Sequence, residues 1–322
     1  MSSAAAKEVF NVPLEKGVFK RAPAAFRNFV AKGSKDFPPE AGRYHLYLAK
    51  ACPWCHRTDL TLALKGLSRD HVSVSFVETR LMQADGWSFS SASPDPLHGR
   101  KSIGEVYRET APEYTGRLTV PVLYDKQTRR IVSNESSEII RMLNTEFNDV
   151  AANAKLDLYP SALQSKIDET NEWVLRDFNN GVYQAGFATA QEAYDDAATR
   201  VFAATARLDK ILAASKYLMG DELTEADVRA FPTALRFDPV YHFHFKLNKH
   251  RMEDFPNLWR WLKLMYQTPG VKATIDIPQT VEHYYWSHTQ INPFRIIPQL
   301  ESITDKLERD DDGESEKKKA KI

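Results

Sequence analysis

The sequence predicts an α/β domain followed by an all-α domain. Between residues 43 and 150, segments that alternate in the manner of β-strands flank segments with helical periodicity. Beyond Pro160 the strand patterns nearly vanish and helical periodicity dominates. The chain has 322 residues, of which 43% are hydrophobic, so it is long enough and apolar enough for two ordinary domains packed together.

The first half begins with an arm and continues as a βαβ unit. Residues 1–42 carry scattered proline and basic residues without sustained periodicity, so we expect an N-terminal arm there. Residues 43–49 alternate as a strand does, residues 53–67 predict a helix, and residues 71–77 predict a second strand. The length of this crossover is typical of a parallel βαβ unit.

A long insertion and a ββα unit follow. Residues 80–115 are rich in Ser, Asp, Pro and Gly and contain Trp87, which suggests an inserted loop with a function of its own. Residues 120–133 predict a hairpin, and a helix is expected to begin near Glu135. A βαβ unit followed by ββα is the element order of a thioredoxin-like domain, which we assign to residues 43–150.

The second half, residues 160–308, is predicted to be an all-α domain. Its helical patterns cover residues 163–178, 191–214, 224–238 and 258–267. Thr224 and Asp227 are spaced to cap the start of a helix, a role in folding. Residues 309–322 separate acidic from basic residues and predict a charged, disordered tail, with a nuclear signal as the alternative reading.

The charge balance argues against several classes of partner. Lys and Arg total 43 and Asp and Glu total 43, so no overall field favours nucleic acid or an anionic membrane. No apolar run approaches the roughly 20 residues needed to cross a bilayer, and the first residues lack a signal-peptide pattern. We therefore expect a cytoplasmic protein with a small-molecule substrate.

The two cysteines, Cys52 and Cys55, stand three positions apart and can form a redox site. Cys52 precedes Pro53 at the predicted first position of a helix, where unpaired amides and the helix dipole favour a negative charge. Such a position lowers a thiol pKa from about 8.5 toward neutrality, and the thiolate is the nucleophilic form. Cys52 is thus the predicted nucleophile, and Cys55 is either the candidate resolving thiol or a buried neighbour.

The cysteine pair has three alternative interpretations. A zinc site would need histidines from elsewhere, because the sequence has no second CxxC. The run from Cys52 to His56 also matches the CxxCH signature of c-type haem, but that attachment requires export. A purely structural pair is the third reading. We favour the redox helix and expect neither metal nor haem.

Further motifs identify a family. They are DGWSF at residues 85–89, GRLTVPVL at 116–123, SNESSEII at 133–140, RFDPVYHFHFK at 236–246, HYYWSH at 283–288 and INP at 291–293. Together with CPWC, this set resembles the glutathione transferase superfamily, specifically its xi class, the glutathionyl-hydroquinone reductases. The resemblance implies the glutathione transferase architecture. One departure is Cys55, where the family commonly has Ala, so a mechanism with one thiol or with two stays open.

The resemblance implies a set of glutathione-binding residues. Pro121 is expected to follow a cis bond that exposes the backbone of Val120 to the cysteinyl part of glutathione. Glu135 and Ser136 are expected to hold the γ-glutamyl end at a helix N-terminus, and Trp87 to cover the ligand. Each residue also has an interpretation without a ligand: Pro121 as an edge-strand proline, Glu135 and Ser136 as a helix cap, and Trp87 as a core aromatic residue.

Two further roles follow from the resemblance. An arginine should neutralise the glycyl carboxylate of glutathione, and of Arg108 and Arg117 we favour Arg108. Phenol hydroxyls of the helical half are expected to face the hydroquinone ring, although a lone helical tyrosine is more often a core residue. These are Tyr183, Tyr241 and Tyr284, with Tyr285 as the alternative to Tyr284. His242 and His244 are expected to be packing groups or to support the site from behind the residues that touch the ligand.

The implied activity is reductive removal of glutathione from glutathionyl-hydroquinones, with glutathione as co-substrate. Cys52 would form a mixed disulfide with glutathione, and a second glutathione would release it. The alternatives are an omega-like thioltransferase or dehydroascorbate reductase, and a non-catalytic interaction module with a transferase fold. A homodimer is expected by resemblance.

Overall fold

The computed structural model describes residues 8–9, 12–15, 17–19, 23–80, 82–83 and 85–309. The strands are β1 (Glu8–Val9), β2 (Val12–Glu15), β3 (Val18–Phe19), β4 (Tyr44–Leu48), β5 (Val72–Phe76), β6 (Met82–Gln83), β7 (Gly86–Trp87), β8 (Val122–Asp125) and β9 (Arg130–Ser133). The α-helices are α1 (Pro53–Lys65), α2 (Ile103–Thr110), α3 (Ser136–Thr145), α4 (Gln164–Trp173), α5 (Gly181–Gly186), α6 (Gln191–Ala213), α7 (Glu225–Arg236), α8 (Pro256–Gln267), α9 (Ile277–Ser287) and α10 (Ile303–Glu308). Two π-helical segments, Val174–Asn179 and Phe237–Tyr241, continue α4 and α7, and short 3-10 turns lie at Met252–Asp254 and Lys272–Thr274.

The central sheet has the strand order β5-β4-β8-β9. β4 runs parallel to β5 and antiparallel to β8, so that Leu46 pairs with both Val74 and Leu123. All five residues of β4 are buried, including His45, whose two ring nitrogens each lie 2.8 Å from a serine hydroxyl of β5. The predicted α/β half, with βαβ followed by ββα, is confirmed.

The predicted inserted loop is only partly a loop. Residues 80–115 contain the small β6-β7 hairpin and helix α2. Ile103, Val106 and Tyr107 of α2 are buried against the sheet. The sequence pattern missed this helix because eight residues between polar, glycine-rich flanks give too short a period to detect.

The second half is helical, as predicted, and packs around α7. Every residue of α7 is buried. The predicted cap is present: Thr224 N–H donates to Asp227 Oδ2 at 3.0 Å, and Asp227 Oδ1 also accepts from the indole of Trp261 at 2.9 Å. Helices α5, α9 and α10 were not predicted. Asp276 opens α9 by accepting from Gln279 N–H at 2.9 Å.

The described residues contain neither a membrane-spanning helix nor a cluster of metal ligands. Among the described helices, none has both the length and the apolarity that crossing a bilayer requires. Within the same residues, no group of three or more His, Cys, Asp and Glu side chains is arranged to hold a metal ion. All but the first residue of the predicted charged tail lies outside the described residues.

Candidate active site

Two adjoining cavities lie where the sheet half meets the helical half. The first has a volume of about 230 Å³ and the second about 80 Å³. They share a wall made by Trp54, Arg117, Thr119 and Val120. A ligand could therefore extend from one cavity into the other past this wall.

Cys52 lines the second cavity at the N-terminus of α1. It is the capping residue, with extended backbone angles, and Pro53 occupies the first helical position, as the sequence predicted. Its Sγ lies 3.7 Å from the backbone oxygen of Val120, in the shared wall. The thiol thus faces the meeting point of both cavities, next to amides that favour its ionised form.

Cys55 lies one turn further along α1 and is only 1% exposed. Burial raises the pKa of its thiol well above the usual range, and a hydrogen bond to Cys52 and the charge on Cys52 raise it further. The two cysteines form no disulfide. Cys55 therefore stays a protonated neighbour of Cys52 at neutral pH.

The first cavity is bounded by the expected glutathione-binding residues of the sheet half. Val120, Pro121, Glu135 and Ser136 all line it, and the Val120–Pro121 peptide bond is cis, as expected. Glu135 caps α3, where its carboxylate accepts from the Ser137 N–H at 3.0 Å. The capping role and a site for a ligand amine can coexist, because the carboxylate also borders the cavity.

The two candidate arginines differ in position. Arg108 lines neither cavity. Its guanidinium donates to both carboxylate oxygens of Asp85, at 2.6 and 2.8 Å, and its side chain is 44% exposed. Arg117 lines both cavities. Of the two candidates, Arg117 is thus the one that borders the cavities, while Arg108 is engaged by Asp85.

The second cavity has aromatic walls. Trp87 lines it and stacks on His283, with ring centroids 4.6 Å apart and planes at 24°. Tyr183 and Tyr284 line it as well. Such a volume, flat-walled and edged by hydroxyl groups, suits an aromatic ring that carries oxygen substituents.

Three phenols form a hydrogen-bonded cluster with Tyr284 at its centre. The Tyr284 oxygen lies 2.5 Å from that of Tyr183 and 3.3 Å from that of Tyr241. Tyr241 lines neither cavity and sits behind Tyr284, so it can reach a ligand only through that neighbour. Tyr285 lies outside the cluster beside His244. Of the two adjacent tyrosines, Tyr284 is thus the one that borders the cavity.

Two phenols of the cluster, Tyr284 and Tyr241, stay neutral at physiological pH. Burial raises the pKa of Tyr284 well above its usual range, and the adjacent phenols raise it further. Burial likewise raises the pKa of Tyr241. These hydroxyl groups are therefore available as hydrogen-bond donors to an oxygen anion.

Two histidines of this cavity were missed by sequence reasoning. His283 donates from Nδ1 to the carbonyl oxygen of Thr79 at 2.7 Å, and burial lowers its pKa to about 4. His288 lines the cavity and lies 3.2 Å from His244, ring nitrogen to ring nitrogen. Both histidines belong to the HYYWSH run at residues 283–288. Tyr284 and His288 are four residues apart, and this spacing could have predicted that they share one face of a helix.

Helix α9 is fastened to residues 79 and 80 of the sheet half. Gln279 accepts from the Thr79 hydroxyl at 2.9 Å, Glu282 pairs with Arg80, and Ser287 donates to the Arg80 carbonyl at 2.9 Å. These contacts lie beside the face that carries Tyr284. The helix that presents the phenol is thereby positioned by the half of the chain that contains Cys52.

Comparison with known proteins agrees with this architecture. The family model for the glutathione S-transferase N-terminal domain matches residues 51–146, and that for the C-terminal domain matches residues 191–264. The chain is 48% identical over 292 residues to the glutathionyl-hydroquinone reductase YqjG of Escherichia coli, covering 87% of this chain and 88% of that protein. It is 44% identical to the glutathionyl-hydroquinone reductase PcpF of Sphingobium chlorophenolicum, covering 88% and 89%.

Solved structures of xi-class proteins have the same fold as this chain. The crystal structure of the xi glutathione S-transferase from Phanerochaete chrysosporium superposes with a TM-score of 0.85 at 49% identity, covering 89% of this chain and 98% of that one. The glutathione-bound structure of YqjG superposes with a TM-score of 0.82 at 47% identity, covering 89% and 96%.

Proposed function

The chain belongs to the xi class of the glutathione transferase superfamily, and from this premise we propose that it is a glutathionyl-hydroquinone reductase. The observation that carries the proposal is the position of Cys52, which lines the phenol-walled cavity and lies 3.7 Å from the Val120 oxygen, in the wall shared with the cavity of the expected glutathione-binding residues. A substrate that joins glutathione to a hydroquinone would span both.

Glutathione would occupy the first cavity. Val120 would pair its backbone with the cysteinyl unit, and Glu135 and Ser136 would hold the γ-glutamyl end at the start of α3. Arg117, which borders both cavities, takes the place of Arg108 as the partner of the glycyl carboxylate. Trp87 would cover the sulfur region from the second cavity.

The chemistry begins with attack of the Cys52 thiolate on the glutathionyl sulfur. A disulfide bond forms between Cys52 and glutathione, and the bond from sulfur to the ring carbon breaks. The substrate reacts as its keto tautomer, in which the ring carbon bonded to sulfur carries the proton given up by the adjacent ring hydroxyl. The electron pair of the broken bond passes to that ring oxygen, and a hydroxyl of Tyr183 or Tyr284 stabilises the oxyanion and protonates it, which gives the hydroquinone. A second glutathione thiolate then attacks the bound glutathione sulfur, which regenerates Cys52 and releases glutathione disulfide.

This route needs one protein thiol. The buried, protonated state of Cys55 supports a mechanism in which it does not resolve the mixed disulfide. The alternative of an omega-like thioltransferase or dehydroascorbate reductase uses the same cysteine but has no need of a phenol-lined ring cavity.

The test compares Cys52→Ser with Cys55→Ala. Turnover of a glutathionyl-hydroquinone should disappear in Cys52→Ser and persist in Cys55→Ala. Intact mass after exposure to the substrate without added glutathione should show one glutathione on the wild type and on Cys55→Ala. Turnover that survives in Cys52→Ser, or a preference for a glutathione mixed disulfide over the glutathionyl-hydroquinone, would refute the proposal.

We also propose that the protein acts in the cytoplasm as a homodimer. Two closely spaced cysteines without a disulfide suit a reducing compartment. The family resemblance supports the dimer, and sedimentation analysis of the full chain would test it.

A further inference from the structure

Arg236, the last residue of α7, reaches from the helical half to the turn that carries Cys52. Its Nε donates to the Ala51 carbonyl at 2.9 Å, and a terminal nitrogen donates to the Lys50 carbonyl at 2.8 Å. The side chain is 3% exposed. The backbone immediately before Cys52 is therefore held by a residue that lies more than 180 positions later in the chain.

The other terminal nitrogen of Arg236 begins a chain of hydrogen bonds. It donates to Nδ1 of His56 at 3.0 Å, which places the imidazole proton on Nε2. His56 Nε2 then donates to the Thr274 hydroxyl at 2.9 Å, and that hydroxyl donates to the Val271 carbonyl at 2.7 Å. Burial lowers the pKa of His56 well below its usual range, and the charges of Arg236 and Lys50 lower it further, so the ring is neutral.

The charge of Arg236 has no matching carboxylate among the described residues. Its hydrogen-bond acceptors are the Lys50, Ala51 and Pro232 carbonyls and a neutral imidazole. Three other buried arginines are paired with acids, Arg43 with Asp125, Arg100 with Asp95 and Arg229 with Glu225. Arg57, also buried, donates to Ser136, Asn179 and the Arg229 carbonyl. A buried cation without an anion is costly, so a site that retains one is suited to bind or form a negative charge.

We propose that Arg236 is the positioning residue that makes Cys52 nucleophilic. It fixes the Lys50 and Ala51 carbonyls so that Cys52 meets the first turn of α1, and its charge is balanced when the Cys52 thiolate forms. The inference deepens the proposed function and rests on Cys52 being the nucleophile. It assigns to a residue of the helical half a control over the chemistry of the sheet half.

Other titratable groups surround Cys52 and also influence the charge of its thiol. On the sheet side they are Cys55, which stays protonated, His56, which is neutral, and Lys50, which lies 3.6 Å from Asp59. Arg117 lines the cavity beside Cys52. From the helical half Tyr183 borders it, as do Tyr284, His283 and His288, which burial keeps neutral. Lys50 is engaged by Asp59, Arg57 of α1 and Arg117 line the cavities, and Arg236 is the cation that holds the backbone just before Cys52.

The experiment measures the pH dependence of Cys52 alkylation by iodoacetamide in the full chain without glutathione, with Cys52→Ser giving the background. Arg236→Gln keeps a donor and removes the charge. Its alkylation midpoint should rise by about one pH unit, which means about tenfold slower alkylation at any pH well below both midpoints. Arg236→Lys keeps the charge and should hold the midpoint close to that of the wild type.

Arg260 provides a matched control. It also donates to two backbone carbonyls, those of Leu212 and Ser215, at 2.7 and 2.9 Å, and it lies in α8 away from Cys52. Arg260→Gln should leave the midpoint unchanged. A folded Arg236→Gln protein with the wild-type midpoint would overturn the inference.

If Arg236→Gln does not fold, Arg236→Lys provides the test. An alkylation midpoint about one pH unit above that of the wild type would overturn the inference, and a midpoint equal to that of the wild type would support it. Because alkylation requires no hydroquinone substrate, failure of the proposed function in the turnover assay would leave this result readable on its own.

Discussion

Replacing Tyr284 with Phe removes one oxygen atom from the centre of the phenol cluster. The residue is 2% exposed and its ring packing is retained, so the change is confined to the hydrogen bonds to Tyr183 and Tyr241. Two buried hydrogen bonds at about 1 kcal/mol each lower the free energy of unfolding by about 2 kcal/mol. If the hydroxyl also stabilises the departing ring oxygen, kcat falls about 100-fold, equivalent to about 2.7 kcal/mol in the transition state.

The assay is steady-state turnover of a glutathionyl-hydroquinone at saturating glutathione, with urea unfolding measured on the same preparations. Tyr285→Phe is the matched control, since Tyr285 is an equally buried neighbour that lies outside the cluster. Its kcat should stay within about twofold of the wild type. A Tyr284→Phe enzyme that loses stability but keeps kcat within about threefold would show that the cluster only supports the fold, and would refute its assignment to the ring.

Two further outcomes are expected. Arg117→Gln should raise the KM for glutathione about tenfold or more, because a charged hydrogen bond to the ligand is lost. Arg108 is paired with Asp85, so Arg108→Gln should leave this KM within about twofold of the wild type. The reverse result would assign the role to Arg108. Burial lowers the pKa of His244 and of His283 to about 4. Unfolding raises both toward about 6.5, so the unfolded chain binds more protons in this window and stability falls as the pH falls. Between pH 7 and pH 5 these two histidines should lower the free energy of unfolding by roughly 3 to 4 kcal/mol in urea titrations, and a flat profile would contradict their burial as neutral rings.

Local patterns predicted the elements that carry strong periodicity. The first helix was expected at residues 53–67 and spans Pro53–Lys65, because Gly66 adopts a φ of +63° and ends it. α2 escaped detection because its period is short. α9 escaped because its dense aromatic content obscures the contrast between faces on which the prediction depends.

The candidate site was predictable in its parts but not in its assembly. Cys52 could be recognised from its place before Pro53, whereas the approach of Tyr284 to the same cavity depends on packing between distant segments. The local sequence could not decide between Arg108 and Arg117, because which of them lies beside the cavities depends on how the chain packs. Arg236 likewise could not be connected with Cys52 by any local rule.

Helix α9 sets a limit on how this chain can vary in length. Two sets of residues lie on neighbouring faces of the three turns of α9. One set contacts the sheet half through Gln279 and Ser287, and the other borders the second cavity through Tyr284. Inserting one residue between Gln279 and Tyr284 would rotate everything beyond it by about 100°, since each residue of an α-helix advances by that angle. Tyr284 would then turn from the cavity while the grip at Gln279 still held. Reading-frame-preserving insertions or deletions inside α9 should thus abolish ring binding, even where single substitutions on its outer face are harmless.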